Sequence, residues 1–486
     1  MKKLTALLLA LLTVCSSVIV LASCADGKEP GKGTEPVTRG ETQPPEESGS
    51  GYDKSDLPDS YDLDGYLFRF MYTEDPLSLN MMFPEESIAE PVNDAMYSRN
   101  QSLSEKYNFE IENNNLPVDA LKSSIAAQDD LFDVCSVFLT TAVSKMLESY
   151  FYDMNDVVNL NLTKNYWDQN FNEQMSIGDA LYYVCGDIGV ADDDKLMVIM
   201  YNREMADDYG IENLYDVAYA GNWTYDLMAK YAKQVASDLN YDNKIDENDV
   251  VGFMYASNNL MPPHLAACLT NLCVKDDFDL PMLVDDFEPF IAVCDKISGI
   301  FDDTLAFDWL EMGSAQVAGI QSLVNTKHVL FQNMILSQLR RLYRDIEAGF
   351  GILPMPKYDD LQDAYSTSIY VFDVLTIPNT NRHLAETGFI LEALAAGSEQ
   401  LTDSYYHKCL ESKFVRDEES FDMINMMRSN VTYDLAYYCD FGGLYNAISN
   451  SFLKTKNSNE MVSTIASKLT AAEDAVERFI SYVDAF

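Results

Sequence analysis

Strand-like and helix-like segments alternate along most of this chain, and that alternation limits its possible folds more than any other feature. Apolar runs of strand length occur at 66–71, 109–112, 133–139, 181–185, 195–201, 329–332, 350–354 and 371–377. Apolar residues recur at helical spacing over 90–107, 118–128, 142–148 and 385–396, with a mostly helical chain from 384 onward. Strands that alternate with helices indicate an α/β fold with a largely parallel sheet.

The N-terminus predicts export and a lipid anchor. Lys2 and Lys3 precede an apolar run over 4–21, which is the pattern of a secretory signal peptide. A membrane anchor is the alternative, because the run approaches spanning length. The tetrapeptide 21–24 ends in Cys24 and resembles a bacterial lipobox, whose Cys thiol receives diacylglycerol. We therefore predict a signal peptide over 1–23 and a palmitate-bearing lipoprotein, attached at Cys24 to the extracellular face of the cell membrane.

A low-complexity segment follows the lipobox. Residues 25–60 are rich in Gly, Pro, Glu, Ser and Thr and hold almost no large apolar side chain before Tyr52. Such a segment cannot bury enough apolar surface to fold. We predict that 24–61 is a flexible linker that holds a folded domain away from the membrane.

Charge and composition exclude several classes of function. The 486 residues include 78 acidic and 33 basic side chains, giving a net charge of −45, yet 47% of residues are hydrophobic. The apolar content is that of a globular protein. A surface this acidic repels nucleic-acid backbones and anionic lipid headgroups. Four His residues leave little material for His-rich metal sites or catalytic triads.

Seven cysteines remain after Cys15 in the signal peptide and Cys24. They are Cys135, Cys185, Cys268, Cys273, Cys294, Cys409 and Cys439. The number is odd, the spacings match no metal motif, and most lie in apolar runs. We expect free, buried thiols that pack as small apolar side chains.

One local motif indicates a metal. Residues 238–249 fit a calcium loop, which places oxygen ligands at positions 1, 3, 5, 7, 9 and 12. Two residues depart from the pattern: Asn243 replaces the usual Gly at position 6, and Asp249 replaces the usual Glu at position 12. A solvated acidic turn is the alternative interpretation. The candidate ligands of this possible structural calcium site are Asp238, Asn240, Asp242, Lys244 (through its carbonyl), Asp246 and Asp249.

Several stretches, in their order along the chain, resemble a known family. They are Asn165-Tyr166-Trp167-Asp168, Gly186-Asp187, Met200-Tyr201-Asn202-Arg203, Gly221-Asn222-Trp223-Thr224, and the segments 93–100, 351–358 and 391–396. From about residue 62 to the C-terminus, the sequence resembles the extracellular solute-binding lipoproteins of bacterial ABC importers, in the group often assigned to carbohydrates. Tyr166-Trp167 stands where this group often has a Trp pair, and Asn202-Arg203 where Asn-Lys is usual.

The resemblance implies a two-lobe α/β fold of the periplasmic-binding-protein type, with a hinge that the chain crosses more than once. The ligand would lie in the cleft between the lobes, and closure would trap it. Lobe one is expected over 62–180 plus 318–378, and lobe two over 181–317 plus 379–486.

Saccharides are bound by aromatic faces and by planar polar side chains that pair with the hydroxyl groups. In this fold, loops at the carboxyl ends of strands line the cleft. The candidate ligand-binding residues are therefore Tyr72, Thr73, Glu74, Thr140, Thr141, Trp167, Asp168, Trp309, Gln332 and Asn333. Packing in the core is the alternative role for each of them. Trp223 opens a helix, which favours a structural role.

The resemblance implies a tethered receptor that delivers a solute, expected to be a saccharide, to ABC permease subunits, with no enzymatic activity. One alternative is a calcium-stabilised surface adhesion lipoprotein. Another is a secreted glycoside hydrolase, because among 78 carboxylates some pair could lie at catalytic separation. No hydrolase, zinc-protease or phosphate-loop motif supports an enzyme.

Overall fold

The strands form two main sheets and one small hairpin. The computed structural model describes residues 52–73, 82–259, 261–415 and 417–483, which belong to the compact unit Tyr52–Phe486. The strands are β1 Tyr66–Tyr72, β2 Phe109–Asn115, β3 Val134–Phe138, β4 Met197–Asn202, β5 Val251–Tyr255, β6 Cys273–Lys275, β7 Pro281–Leu283, β8 Ala306–Asp308, β9 Val329–Ile335, β10 Phe350–Leu353 and β11 Asp373–Thr376.

Helices surround these sheets. The α-helices are α1 Pro91–Tyr107, α2 Val118–Ala127, α3 Leu139–Met146, α4 Gln169–Met175, α5 Arg203–Asp208, α6 Leu214–Tyr219, α7 Tyr225–Val235, α8 Met261–Ala267, α9 Glu288–Ser298, α10 Gln316–Asn325, α11 Ser337–Leu342, α12 Leu384–Ala396, α13 Glu399–Asp403, α14 Glu418–Arg428, α15 Leu435–Cys439, α16 Leu444–Thr455 and α17 Met461–Val483. A π-helix covers Ser404–Val415, and short 3₁₀ turns cover Met154–Asp156, Asp193–Lys195, Ser257–Asn259, Trp309–Ala315 and Phe441–Gly443. Among the described residues, no helix is both long and apolar enough to cross a bilayer.

The two sheets differ in strand direction. The first has the order β11-β3-β1-β2, in which β2, β1 and β3 are parallel and β11 is antiparallel to β3. The second has the order β10-β4-β9-β5-β8, with parallel pairs only between β9, β5 and β8. The predicted α/β class is therefore confirmed, while the second sheet is more mixed than the sequence pattern indicates.

The sheets assign part of the chain differently from the expected lobe boundaries. The range 318–378, expected in lobe one, contains β9 and β10, which pair with β4 of the second sheet. The hydrophobic pattern predicts that a segment forms a strand, but residues far away in the sequence determine which strand it pairs with. The run at 181–185 also differs, because it contributes only an isolated bridge between Val184 and Leu375.

Three segments run together between the two sheets. Leu196, just before β4, pairs with Ile369, which precedes β11. Thr367 pairs in turn with Val431, which follows α14. We call residues 186–196, 366–370 and 430–433 the crossing segments.

The linker prediction is wrong for its last residues. The signal peptide, Cys24 and residues up to 51 lie outside the described part of the chain, but 52–61 packs against the folded domain. Tyr52 donates a hydrogen bond to the carbonyl of Ala395 (3.0 Å), and Asp56 forms an ion pair with Lys164 (2.9 Å). One aromatic ring and well-placed carboxylates are enough to fix a segment whose composition alone suggests flexibility.

The prediction that these cysteines are buried thiols outside disulfides is confirmed. Six of the seven cysteines in the described residues are buried, Cys439 is half-buried, and none of the seven forms a disulfide. Trp223 is also buried, with its ring 5.4 Å from that of Phe331, and Thr224 caps α7 by accepting the N–H of Leu227 (3.4 Å). The structural role expected for Trp223 is therefore confirmed.

Candidate functional site

The carboxyl edge of the first sheet gathers four of the candidate residues. Tyr72 ends β1, half-buried, with its ring stacked 6.3 Å from that of Phe70. Thr140 is exposed and Thr141 half-buried in the first turn of α3, directly after β3. Because β1 and β3 are adjacent and parallel, these side chains share one edge, as predicted. Thr73 lies there too and donates to the carbonyl of Leu116, whereas Glu74 lies outside the described residues.

Gln332 and Asn333 do not lie at a strand end. The strand β9 runs to Ile335, so both residues are in its buried interior. The Gln332 Oε1 accepts a hydrogen bond from the Tyr343 hydroxyl at 2.5 Å. The prediction that Gln332 faces a ligand is wrong, because the strand is three residues longer than the apolar run suggested.

The two candidate tryptophans also pack inward. Trp167 is buried, and its indole nitrogen lies 3.4 Å from Glu392 Oε2 in α12. Its ring therefore offers no exposed face for stacking on a sugar, contrary to the prediction. Trp309 follows β8 and is half-buried against the core, and its buried indole nitrogen has no hydrogen-bond partner.

Asp168 borders a polar cavity where the crossing segments meet. The cavity has a volume of about 250 Å³. Its walls come from the loop before α4, from the crossing segments and from the end of α14. The lining residues are Asn165, Tyr166, Trp167, Asp168, Gln169, Asn170, Gly186, Asp187, Asp192, Asp193, Leu196, Ile369, Arg428 and Val431. Most of the lining is amide, carboxylate or guanidinium.

Gly186 brings two of these walls together. It has a φ of +148°, and a Cβ atom there would lie 2.4 Å from the carbonyl oxygen of Tyr166. The neighbouring residues bond across this close approach: the Asp187 N–H donates to the carbonyl of Tyr166 (2.9 Å), and the Asp168 N–H donates to that of Cys185 (3.1 Å). Only glycine allows the two backbones to approach so closely.

Arg428 is the cationic side chain of the cavity. Its Nε lies 3.3 Å from Asp193 Oδ1 and its Nη2 lies 3.7 Å from Asp187 Oδ1. Its guanidinium also stacks 4.1 Å from the ring centre of Tyr406, whose hydroxyl donates to Asp193. These contacts hold Arg428 in one orientation.

The carboxylates of the cavity are crowded. A carboxylate oxygen of Asp168, the Sγ atom of Cys185 and a carboxylate oxygen of Asp192 all lie within 4.8 Å of one another. Burial and the neighbouring Asp193 raise the pKa of Asp187 to about 6. Burial, together with Asp193 and Asp168, raises the pKa of Asp192 well above its ordinary value. Carboxylates with raised pKa values are a common property of binding and catalytic sites.

The cavity adjoins the sheet edge that holds Tyr72. A smaller cavity of about 30 Å³ shares Gly186 and Asp192 with it and reaches Ser136 in β3 and Asp373 in β11. Ser136 pairs in register with Tyr72. The candidate site therefore extends from the crossing segments to the carboxyl edge of the first sheet.

Sequence patterns indicated only part of this site. The resemblance to solute-binding lipoproteins marked Asp168, Gly186 and Asp187, but Asp192, Asp193 and Arg428 were missed. The acidic run Asp192–Asp194 directly before a strand was a possible signal. Arg428 carries no local signal, since it meets Asp193 from 235 residues away.

The predicted calcium loop lies apart from this cavity and is held by its own backbone. Asp238 accepts the N–H groups of Tyr241 (2.6 Å) and Asn243 (2.8 Å). Asn243 has a φ of +69°, the left-handed conformation that position 6 requires. Buried Asp249 accepts the N–H of Leu239 at 2.8 Å. Each carboxylate keeps further lone pairs, and the binding of calcium by these residues stays a prediction.

Comparison with known proteins bears on the fold. No protein-family model matches the sequence, and no curated protein matches it. The galacto-N-biose/lacto-N-biose I-binding protein of an ABC transporter from Bifidobacterium longum, solved with lacto-N-biose, is 10% identical, with a TM-score of 0.58 over 85% of this chain and 98% of that one. An ABC substrate-binding protein from Listeria monocytogenes in complex with cycloalternan is 11% identical, with a TM-score of 0.52 over 87% of this chain and 100% of that one.

A third structure, a sugar transporter protein from Rhizobium etli in an open conformation, is 10% identical. Its TM-score is 0.55 over 87% of this chain and 100% of that one. All three similarities span nearly the whole of the compared proteins. The described residues therefore have a periplasmic-binding-protein-like α/β fold.

Proposed function

We propose that this chain is the solute receptor of a bacterial ABC importer and that its solute is a saccharide. The observation that carries the proposal is the polar cavity between the crossing segments, in a fold shared with sugar-binding proteins of ABC transporters. In such a fold, a ligand held where the crossing segments meet would contact both sheets and favour the closed form.

The cavity lining supports a polyhydroxylated ligand. Carboxylate, amide and guanidinium groups are planar and can pair with adjacent hydroxyl groups of a sugar ring. The volume of about 250 Å³ is just below the roughly 300–1,000 Å³ typical of small-molecule pockets, which favours one or two sugar rings. Tyr72, Thr140 and Thr141 on the adjoining sheet edge would contact a longer saccharide.

A calorimetric titration of the chain without residues 1–23, against mono- and disaccharides, tests the proposal. We expect at least one saccharide to bind without product formation. Arg428→Gln should weaken it more than tenfold, because the guanidinium of Arg428 lies in the cavity. Arg382→Gln is the matched control, since that side chain bonds to the carbonyl of Gln128 away from the cavity. Binding to no saccharide would overturn the proposal, and product formation would favour the glycoside hydrolase instead.

We also propose that acylation of Cys24 anchors the receptor at the extracellular face of the membrane, where it would meet its permease. The supporting feature is the signal-peptide and lipobox pattern at 1–24. Cys24→Ser should release the chain into the medium, and mass spectrometry should find diacylglycerol on Cys24 of the wild type. An unmodified Cys24 in membrane-bound protein would contradict the anchor.

The calcium loop is a separate proposal. Calcium would fasten 238–249 by drawing the carboxylate, amide and carbonyl oxygens of its candidate ligands around one ion. Calcium should raise the melting temperature of the wild type by mass action. A chelator should reverse the shift, and Asp238→Asn should abolish it. Equal melting temperatures with calcium and with chelator would leave the loop as a hydrogen-bonded turn.

A further inference from the structure

The cavity contains more negative than positive side chains. Four carboxylates line it, those of Asp168, Asp187, Asp192 and Asp193, against the single guanidinium of Arg428. That guanidinium is already paired with Asp187 and Asp193 and stacked on Tyr406. It therefore cannot also neutralise the remaining carboxylates.

Asp192 is the carboxylate with the least compensation. Its exposure is 7%, and it lines both cavities. Among the described residues no ion pair joins it to a lysine or arginine, since the nearby Arg428 pairs with Asp187 and Asp193. A buried carboxylate is costly unless a positive group pairs with it.

Two carboxyl groups and a thiol lie close to Asp192. Asp193 adjoins it in the chain, Asp168 faces it from the start of α4, and the Cys185 thiol lies beside both carboxylates. Tyr433 donates its hydroxyl to Asp168 at 2.9 Å and so provides no charge. A positive group on a ligand would pair directly with Asp192, which the guanidinium of Arg428 affects only at longer range.

We propose that the cavity selects a cationic saccharide, one with a free amino group, whose ammonium lies against Asp192 and Asp168 while Asp187, Asp193 and Arg428 pair with ring hydroxyls. This inference rests on the proposed function and names its substrate class. An N-acetylated sugar would lack the charge, and a neutral sugar would leave Asp192 uncompensated.

Titration calorimetry at pH 7.5 with matched sugars tests the selection. The probes are glucosamine and deacetylated chitobiose, compared with glucose, cellobiose and their N-acetylated forms. We expect an amino sugar to bind at least tenfold more tightly than its neutral and N-acetylated counterparts. Equal or tighter binding of the neutral sugars would overturn the inference and leave the proposed function intact. Binding of no saccharide would overturn both.

Asp192→Asn separates the charge from the shape of the cavity. It should reduce the affinity for the amino sugar by a larger factor than the affinity for the neutral sugar, so that the selectivity for the amino sugar is lost. Asp434→Asn is the matched buried control, because Asp434 caps α15 away from this cavity. An equal loss of affinity for both sugars in Asp192→Asn would contradict the proposal.

Discussion

Gly186 sets the position of the loop that forms one wall of the cavity. Its φ of +148° and the 2.4 Å approach to the Tyr166 carbonyl leave no room for a side chain. The atoms it would strike are backbone atoms, which cannot rotate away as a flexible side chain can. The shape of the cavity therefore depends on Gly186, although this residue has no side chain that could contact a ligand.

Gly186→Ala should lower the free energy of unfolding by about 3 kcal/mol, combining backbone strain with overpacking. Gly210→Ala is the control: its φ is +68° but no atom lies within 4 Å of the new Cβ, so only about 1 kcal/mol should be lost. Urea unfolding followed by tryptophan fluorescence measures both. Equal losses would show that the close approach at Gly186 does not matter.

The buried carboxyl group of Asp434 should make the stability of the protein depend on pH. It is buried, accepts the N–H groups of Leu272 and Ala436, and has a pKa raised by burial to about 6 from an ordinary value of 3.8. Between these pH values the folded state holds a proton that the unfolded state has lost, so the contribution of this group to stability falls as the pH rises. From pH 4 to 7.5 the wild type should lose about 2.4 kcal/mol relative to Asp434→Asn. A difference that stays constant with pH would contradict the raised pKa.

At the scale of elements, the β6–β7 hairpin fastens the segment after α4. The Lys275 ammonium donates to the carbonyl of Glu173 (2.6 Å), the hydroxyl of Ser176 (2.8 Å) and the carboxylate of Asp279 (2.7 Å). The Asp279 carbonyl in turn accepts the N–H of Gly178 at 3.0 Å. These hydrogen bonds therefore join the β6–β7 hairpin to residues 173–178, at the end of α4 and directly after it.

Lys275→Met should cost about 2 kcal/mol, because three hydrogen bonds of a mostly buried ammonium are lost. Amide exchange should accelerate at 173–180 and in the hairpin, with no change in the second sheet. Lys122→Met is the control, since its solvent-exposed pair with Asp119 within α2 should contribute little to stability. Unchanged exchange at 173–180 would show that the hairpin does not hold this segment.

Some strands of the structure can be predicted from the local sequence, and others cannot. The strands β1, β3 and β4 follow from local alternation and apolar runs, and the structure confirms them. The end of β9 does not, because Ile335 is paired with Met197, which is 138 residues earlier. The orientation of Trp167 depends likewise on Glu392, 225 residues away. The pattern thus predicts which segments are strands, whereas the cavity depends on contacts between distant segments.

The whole molecule has a net charge of −45, which predicts self-repulsion in the folded state. Salt shortens the range of that repulsion, from a Debye length of about 30 Å at 0.01 M to about 10 Å at 0.1 M. The melting temperature should therefore rise by several degrees between 10 and 300 mM NaCl. A matched series with sucrose at low salt controls for solute effects that are not electrostatic. A falling melting temperature would mean that local ion pairs outweigh the overall repulsion.

The buried cysteines allow the opening of different parts of the molecule to be followed by chemical labelling. Burial keeps the thiols protonated by raising the pKa of Cys135, Cys185, Cys268, Cys273, Cys294 and Cys439. Only a thiolate that meets solvent reacts quickly with an alkylating reagent, so the labelling rate of each cysteine measures how often the region around it opens. Cys135 reports on the first sheet, Cys185 on the start of the crossing segments, and Cys294 on the helix α9. The order in which they become labelled would give the sequence in which the fold comes apart, with no probe added to the chain.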